Sequence, residues 1–230
     1  MLNCNDCASK TCIIQQSCAG TALDFASERK KMTTYSEGQR ILLEGTSSRG
    51  IYLVLDGVAK IYKSDRQGRE LILRFVKSGD ILGFYSVDQD MDSPVSSMAI
   101  SDTTICQLSR TDFDMLLKLQ PTLVQELLRF FRKEQSDVES KSLKLATLNV
   151  PHKVADALIT MFEALGADEK TDVLKLSLSR QDIANLAGTT KEQVSKALSA
   201  FKAEGIIITK AREIRIKDLN ALRAMVDTGG

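Results

Sequence analysis

Between Leu178 and Leu198 the sequence LSRQDIANLAGTTKEQVSKAL sets two helix-start signals on either side of one glycine. Ser179, with Asp182 three residues later, resembles an N-cap pair, and Thr190 with Gln193 reads as a full capping box. Gly188 stands between them, where a left-handed residue can end one helix and let the next begin. Two short helices joined by so few residues define a helix-turn-helix. In its second helix Val194, Leu198 and Phe201 share the inward face, which leaves Lys191, Glu192, Ser195, Lys196, Ser199 and Lys202 outward. That is what a recognition helix needs, because its first turns must reach base edges in the major groove. Glu can accept from cytosine, Lys can donate to guanine, and Ser suits several partners. Gly205 ends the helix, and Ile206-Ile207-Ile208 with Ile214-Arg215-Ile216 predict a two-stranded wing whose tip carries Lys210 and Arg212.

Charge supports the reading locally. The 230 residues hold 31 Lys plus Arg against 30 Asp plus Glu, so neither charge-driven disorder nor a globally basic nucleic-acid protein is expected. Within residues 180–217, however, Arg180, Lys191, Lys196, Lys202, Lys210, Arg212, Arg215 and Lys217 face only Asp182, Glu192, Glu204 and Glu213. This basic excess is the footprint of phosphate contacts on double-stranded DNA. A winged helix used for protein contacts is the blander alternative.

Residues 23–115 read differently. Gly38, Gly45, Gly50, Gly57, Gly68, Gly79 and Gly83 punctuate short runs such as Ile51–Leu55, Val58–Tyr62 and Leu71–Val76, which are rich in β-branched and aromatic residues. Asp65-Arg66-Gln67-Gly68 reads as a hairpin tip. About seven or eight strands at this spacing predict a jelly-roll-like barrel or sandwich. From about Thr111 the period changes, and Val124, Leu127, Phe131, Glu134, Val138, Lys141 and Leu145 fall three and four apart. This is either a helix packed on its own β-domain or the seam of a two-stranded coiled coil, weakened by Glu134 and Lys141. Asn149-Val150-Pro151 marks the next boundary. The expected divisions are a cysteine-rich segment 1–22, a β-domain 23–115, a dimerisation helix 116–149 and a DNA-binding domain 150–230.

Four of the five cysteines, Cys4, Cys7, Cys12 and Cys18, crowd the N-terminus, and Cys106 stands alone. The start of the chain has no signal-like apolar stretch, and no run approaches the ~20 apolar residues of a membrane span. A cytoplasmic protein is therefore expected, and there an odd cysteine count argues against a disulfide framework. Crowded thiols in that setting hold a metal or cluster. With His152 as the one histidine, such a site is sulfur-rich. On spacing alone, structural zinc and an iron–sulfur cluster are equally good readings. No nucleophile–base set points to an enzyme.

A β-roll, a long helix and a winged helix-turn-helix in this length resemble the CRP/FNR superfamily of bacterial transcription regulators. The resemblance spans nearly the whole chain and is carried best by Gly79-Asp80-Ile81-Leu82-Gly83-Phe84 and by Ser179–Phe201. It implies an α+β fold, a homodimer, a palindromic DNA site and RNA polymerase as partner. Members that bind cyclic nucleotides carry a Glu after that turn and a later Arg for the phosphate, but no Glu or Arg occurs from Gly79 to Ser109, so no cyclic nucleotide is expected. Gly-Asp-Ile-Leu-Gly-Phe is more similar to the oxygen-responsive FNR branch. By that resemblance Cys4, Cys7 and Cys12, with Cys18 as the alternative third ligand, join Cys106 around a 4Fe–4S cluster, and the protein acts as an activator. The gap from Cys7 to Cys12 is one residue shorter than that branch's pattern. Its Glu-x-x-Ser-Arg reads Glu192-Gln193-Val194-Ser195-Lys196 here, and Lys lacks the planar fork of Arg. Alternatives are a regulator of the same fold that senses nitric oxide, haem or thiol oxidation, with zinc or no metal, and, more remotely, an iron–sulfur enzyme or electron carrier.

Overall fold

The computed structural model describes residues 3–48, 50–83, 92–166, 178–210 and 213–228. Two short helices come first, α1 (Ile13–Ser17) and α2 (Thr21–Arg29). They are followed by strands β1 (Lys31–Tyr35), β2 (Arg40–Leu42), β3 (Gly50–Asp56), β4 (Val58–Ser64), β5 (Glu70–Lys77), β6 (Ile81–Gly83), β7 (Ser96–Ala99) and β8 (Thr103–Ser109). Helices α3 (Arg110–Leu119), α4 (Thr122–Thr147), α5 (Val150–Leu165), α6 (Arg180–Ala187) and α7 (Lys191–Ala203) come next. The hairpin β9 (Ile207–Lys210) and β10 (Glu213–Ile216) and helix α8 (Leu219–Thr228) close the chain. None of the described helices is long and apolar enough to cross a membrane. The chain forms two compact units, Met1–Lys63 with Arg74–Ser136, and Ser64–Leu73 with Asp137–Gly230.

The first unit is built on two four-stranded sheets, ordered β1-β8-β3-β6 and β2-β7-β4-β5. Gly38, Gly45, Gly57, Gly68 and Gly79 fall in turns or loops, whereas Gly50 and Gly83 lie at the ends of β3 and β6, and Asp65 closes the β4–β5 tip by accepting from the amides of Gln67 and Arg69. β3 is buried along nearly its whole length, because both of its faces are covered. One side joins the β-core; on the other, Ile51 and Leu53 join Leu108, Phe113, Leu116, Leu123 and Leu127 in a second apolar layer shared with α1 and α2 through Ile14, Ala22, Leu23 and Ala26. The helices at residues 13–29 were not legible in advance. Their apolar spacing is short, and only packing against the sheet makes helices of this length stable.

The predicted single helix 116–149 is divided. Ser109 caps α3 by accepting from the Asp112 amide, α3 ends at Leu119, and Pro121 stands before the first turn of α4. A proline lacks the amide that a continuous helix would need, so the break falls there. α4 stops at Thr147, and Asn149 caps α5 by accepting from the His152 amide at 3.4 Å. Pro151 therefore opens α5 within its first turn, where its missing N–H costs nothing.

In the second unit α5 to α7, the β9–β10 hairpin and α8 surround Val154, Leu158, Met161, Ile183, Val194, Leu198, Phe201 and Leu222, all essentially inaccessible. The two caps exchange the expected roles. Ser179 and Asp182 make the full reciprocal box. Thr190 accepts from the Gln193 amide, but the Gln193 side chain meets the Thr189 hydroxyl instead of reaching back to the cap. Gly188 ends α6 in the left-handed region (φ 59°, ψ 43°), and a Cβ there would lie 3.0 Å from Leu145 Cδ2. Glycine is thus favoured by its conformation, and a larger residue would also have to displace the Leu145 side chain slightly.

Candidate functional site

Alternation along β8 decides which way its cysteine faces. Ile105 and Gln107 point to one side, with the Gln107 amide donating to the Tyr52 hydroxyl at 3.2 Å. Cys106 and Leu108 point to the other, into the layer shared with the N-terminal helices. Cys106 lies opposite Met32 on β1 and Leu53 on β3. Cys4, Cys7 and Cys12 line the same cavity as Cys106, together with Ser9, Gln15, Lys30 and apolar side chains that include Ile14, Leu53 and Leu108. Cys18 does not line it; it is buried in the neighbouring apolar layer.

The N-terminal loop is held over this cavity by its own polar groups. The Cys4 amide donates to Ser27 Oγ at 2.7 Å, and Gln15 Nε2 donates to the carbonyls of Cys4 at 3.0 Å and Cys7 at 3.3 Å. Thr11 Oγ1 donates to the Ser78 carbonyl at 3.2 Å. A Cβ on Gly79 would come within 1.9 Å of that Thr11 oxygen, and its φ is +94°, so the β5–β6 turn admits the loop only with glycine there. Gln15 Oε1 and Ser9 Oγ are buried without a hydrogen-bond partner.

The donor set suits a thiophilic metal group, being four sulfurs in an apolar setting. The space does not yet match it. The cavity measures about 30 Å³, roughly the volume of one water. Among the described residues no three Cys, His, Asp or Glu side chains are already poised around a metal ion. The thiols therefore share one cavity without converging on one point. Two of the lining thiols, Cys12 and Cys106, are also set for protonation when no metal is bound. Burial pushes Cys106 up to about 11, outweighing the opposing charge of Lys30. It pushes Cys18 to about 11 and raises Cys12 as well.

On the second unit, Lys191, Glu192, Lys196, Ser199, Lys202 and Lys210 are exposed, and Arg180 and Ser195 are half-buried. Arg212 lies outside the described residues. Two members of this face are committed elsewhere: Ser195 Oγ donates to the Lys191 carbonyl and Ser199 Oγ to the Ser195 carbonyl, both at 2.9 Å. The Glu192 carboxyl lies below the usual range because its own amide and the Thr190 hydroxyl donate to it. It is a fixed acceptor at the start of α7.

Three of the seam positions expected on α4 have partners within the chain. Leu127 is buried in the first unit's own core. Glu134 Oε2 meets Arg74 Nε at 2.6 Å. Lys141 donates to the carbonyls of Ile72 at 2.7 Å and Leu73 at 3.2 Å, and burial lowers it to about 8. These three positions hold α4 against its own chain. A second row, Val124, Leu128, Phe131, Gln135, Val138, Ser142 and Leu145, is spaced alternately four and three; Leu128 is 63% and Val138 56% exposed, while Phe131 packs against the first unit's core and Leu145 is half-buried beside Gly188. Periodicity alone could not choose between Leu127 and Leu128, since both are apolar neighbours.

Comparison with known proteins bears on the whole chain. Residues 152–225 match the Crp-like helix-turn-helix domain and residues 32–120 the cyclic nucleotide-binding domain. The chain is 29% identical to the anaerobic regulatory protein of Haemophilus influenzae, over 99% of this chain and 89% of that one. It is 27% identical to the fumarate and nitrate reduction regulatory protein of Salmonella typhimurium, over 97% and 90%. Among solved structures, FixK2 from Bradyrhizobium japonicum superposes with a TM-score of 0.75 at 26% identity, covering 85% of this chain and 96% of that one. These relatives are regulators, not enzymes.

Proposed function

Because the chain belongs to the CRP/FNR superfamily of transcription regulators, we propose that it is an oxygen- or redox-responsive member in which Cys4, Cys7, Cys12 and Cys106 hold a 4Fe–4S cluster that governs dimerisation and DNA binding. The observation that carries this reading is that one cavity is lined by cysteines from the N-terminal loop and from β8. The names of the Haemophilus and Salmonella relatives, one anaerobic and one of fumarate and nitrate reduction, are in keeping with it. When bound, such a cluster supplies an oxygen-labile bond set whose stability depends on burial and on hydrogen bonds to the sulfurs.

The protein's own residues do the rest. Gln15, Ser27 and Thr11 hold the cysteine loop against α2 and the β5–β6 turn. Leu123 and Leu127 anchor the start of α4 in the apolar layer that also contains Cys4, Cys12 and Cys106. A shift of that loop therefore reaches α4 through packed side chains. The stripe Val124–Leu128–Phe131–Gln135–Val138–Ser142–Leu145, exposed at every position except the half-buried Phe131 and Leu145, is the proposed dimer seam, with heptad spacing and polar positions that keep association adjustable. In the dimer each α7 would enter a major groove of a palindromic site, Glu192 and Lys196 reading bases while Arg180, Lys191, Lys202 and Lys210 contact phosphates. The β-domain belongs to the cyclic nucleotide-binding fold, but the absence of Glu and Arg from Gly79 to Ser109 argues for a role without that ligand. The reading makes the protein a cytoplasmic activator with RNA polymerase as partner.

Purification under anaerobic conditions tests it, with an absorption spectrum, iron and sulfide assays, and DNA binding before and after air. Iron and sulfide near four per chain, with binding lost in air, are expected. A colourless protein carrying stoichiometric zinc would leave a DNA-binding regulator with a different trigger.

A further inference from the structure

Lys30 stands out from the rest of the cavity. Three cations follow one another at Arg29-Lys30-Lys31, where α2 gives way to β1; Arg29 and Lys31 are exposed, whereas Lys30 is only 6% exposed. Its amide donates to the Ala26 carbonyl as the helix ends, and its side chain runs inward to place Nζ 3.2 Å from Cys4 Sγ. Lysines usually bury their stems and keep the ammonium in water. An ammonium withdrawn from water is costly unless an opposite charge compensates it. Among the described residues, Cys4 Sγ is the hydrogen-bond partner of this ammonium, and no carboxylate pairs with it. Its charge is also felt at Cys106 across the cavity, where it opposes the effect of burial. The groups within reach that can become anionic are thus sulfurs.

We propose that Lys30 is a positioning residue for a metal–thiolate group: its buried ammonium balances the surplus negative charge of the cysteine set and donates a hydrogen bond to the Cys4 ligand sulfur. The inference rests on the cysteines of this cavity being the ligands, and it extends that reading to a residue outside the ligand set. Four thiolates around a divalent or doubly charged core leave excess negative charge in an apolar pocket, which a fixed cation offsets. Hydrogen bonds to ligand sulfurs also raise the potential at which a cluster is reduced, and the loss of an outer partner of a ligand typically costs about 10- to 100-fold in metal affinity. A metal-free pocket gains nothing from the same charge. Lys30 therefore trades stability of the empty protein for affinity of the loaded one.

The test compares full-length wild type, Lys30→Met and Lys30→Arg, all made metal-free under anaerobic conditions. Each is titrated with Co²⁺, read by sulfur-to-cobalt absorption, then reconstituted with iron and sulfide for a spectroelectrochemical potential. The expected result is a Co²⁺ affinity at least about tenfold weaker in Lys30→Met, a lower cluster potential, and substantial recovery of both in Lys30→Arg. Metal-free Lys30→Met should unfold at a temperature equal to or above wild type, which separates this role from simple packing. Equal Co²⁺ affinities in wild type and Lys30→Met overturn the proposal, as does a Lys30→Arg variant as defective as Lys30→Met. If wild type takes up no iron and sulfide, the cluster reading fails, and the Co²⁺ series still decides the role of Lys30.

Discussion

The helix-turn-helix and the cysteine cavity differ in how much of the chain each must gather. Ser179, Asp182, Gly188 and Thr190 lie within twelve residues, and the caps they form are local to α6, α7 and the turn between them. The cavity needs a loop ending at Cys12, a lysine at the end of α2 and a cysteine on β8, brought together by the pairing of β8 with β1 and β3. The first is a property of a short text and elementary capping chemistry. The second exists only once the sheet has closed and the apolar layer around Phe113 and Leu116 has formed. In the proposed reading, the first is a reader assembled by its own short segment, and the second a sensor assembled from distant parts.

The sharpest way to break that contrast is to remove one distant part. Cys106→Ala should abolish iron and sulfide retention after anaerobic reconstitution, because β8 supplies a single sulfur to the cavity and nothing nearby replaces it. Cys18→Ala should retain close to the wild-type iron content, since Cys18 faces the apolar layer and not the cavity. Because the proposed cluster governs dimerisation, Cys106→Ala should also lose affinity for the specific palindrome, while Cys18→Ala should keep it. If Cys18→Ala loses iron while Cys12→Ala keeps it, the third ligand moves to Cys18.

The same contrast explains what the sequence showed and what it hid. The strands were legible through their glycines and β-branched runs, and the reader through its caps, because turns and caps are decided by neighbours in the chain. The break at Gln120–Pro121 was there to be read from the proline. The face of α4 was not: Leu127 and Leu128 look alike until the apolar layer claims the first and leaves the second in solvent. Glu134 and Lys141 looked like charged seam positions, yet Arg74 and the β5 carbonyls hold them against the chain. Lys30, between two exposed cations, reads as ordinary surface charge. Only the three-dimensional path from α2 into β1 turns it toward Cys4. α8, packed on α5 through Leu222, likewise has too short a pattern to be recognised without its partner.

Protons offer a second, smaller separation of sensor from reader. The thiols of Cys12 and Cys106 lie above the usual cysteine value, Cys106 at about 11, chiefly through burial. A metal binds the thiolate, so each such thiol must release a proton on loading. Affinity must therefore climb as pH rises toward 11, by up to about tenfold per pH unit for each proton displaced. Co²⁺ titrations of metal-free protein at about pH 7, 8 and 9 should show that rise. Glu192, already lowered by its hydrogen bonds, stays ionised across the same range, so DNA affinity measured in parallel should change only as Lys141, at about 8, loses its charge. A DNA-binding curve that tracks the metal curve would mean the two regions titrate as one.

The smallest expected effect lies within the reader itself, where geometry narrows the candidates on α7. Ser195 and Ser199 spend their hydroxyl protons on helix carbonyls, so reaching a base would require breaking those bonds first. Glu192 is held by the cap as a fixed acceptor, whereas Lys196, exposed one turn further along, has both the reach and the freedom to read sequence. Lys196→Ala should then weaken binding to the specific palindrome by roughly 1–3 kcal/mol, the worth of one good base contact. Binding to random duplex should change far less, and Ser199→Ala should leave both nearly unchanged. Equal losses on the two DNAs would assign Lys196 to a phosphate. Lys196→Arg is the complementary change: a planar fork in place of a point charge should shift which base is preferred at that position rather than merely strengthen binding, because specificity here depends on the shape of the donor as well as its charge.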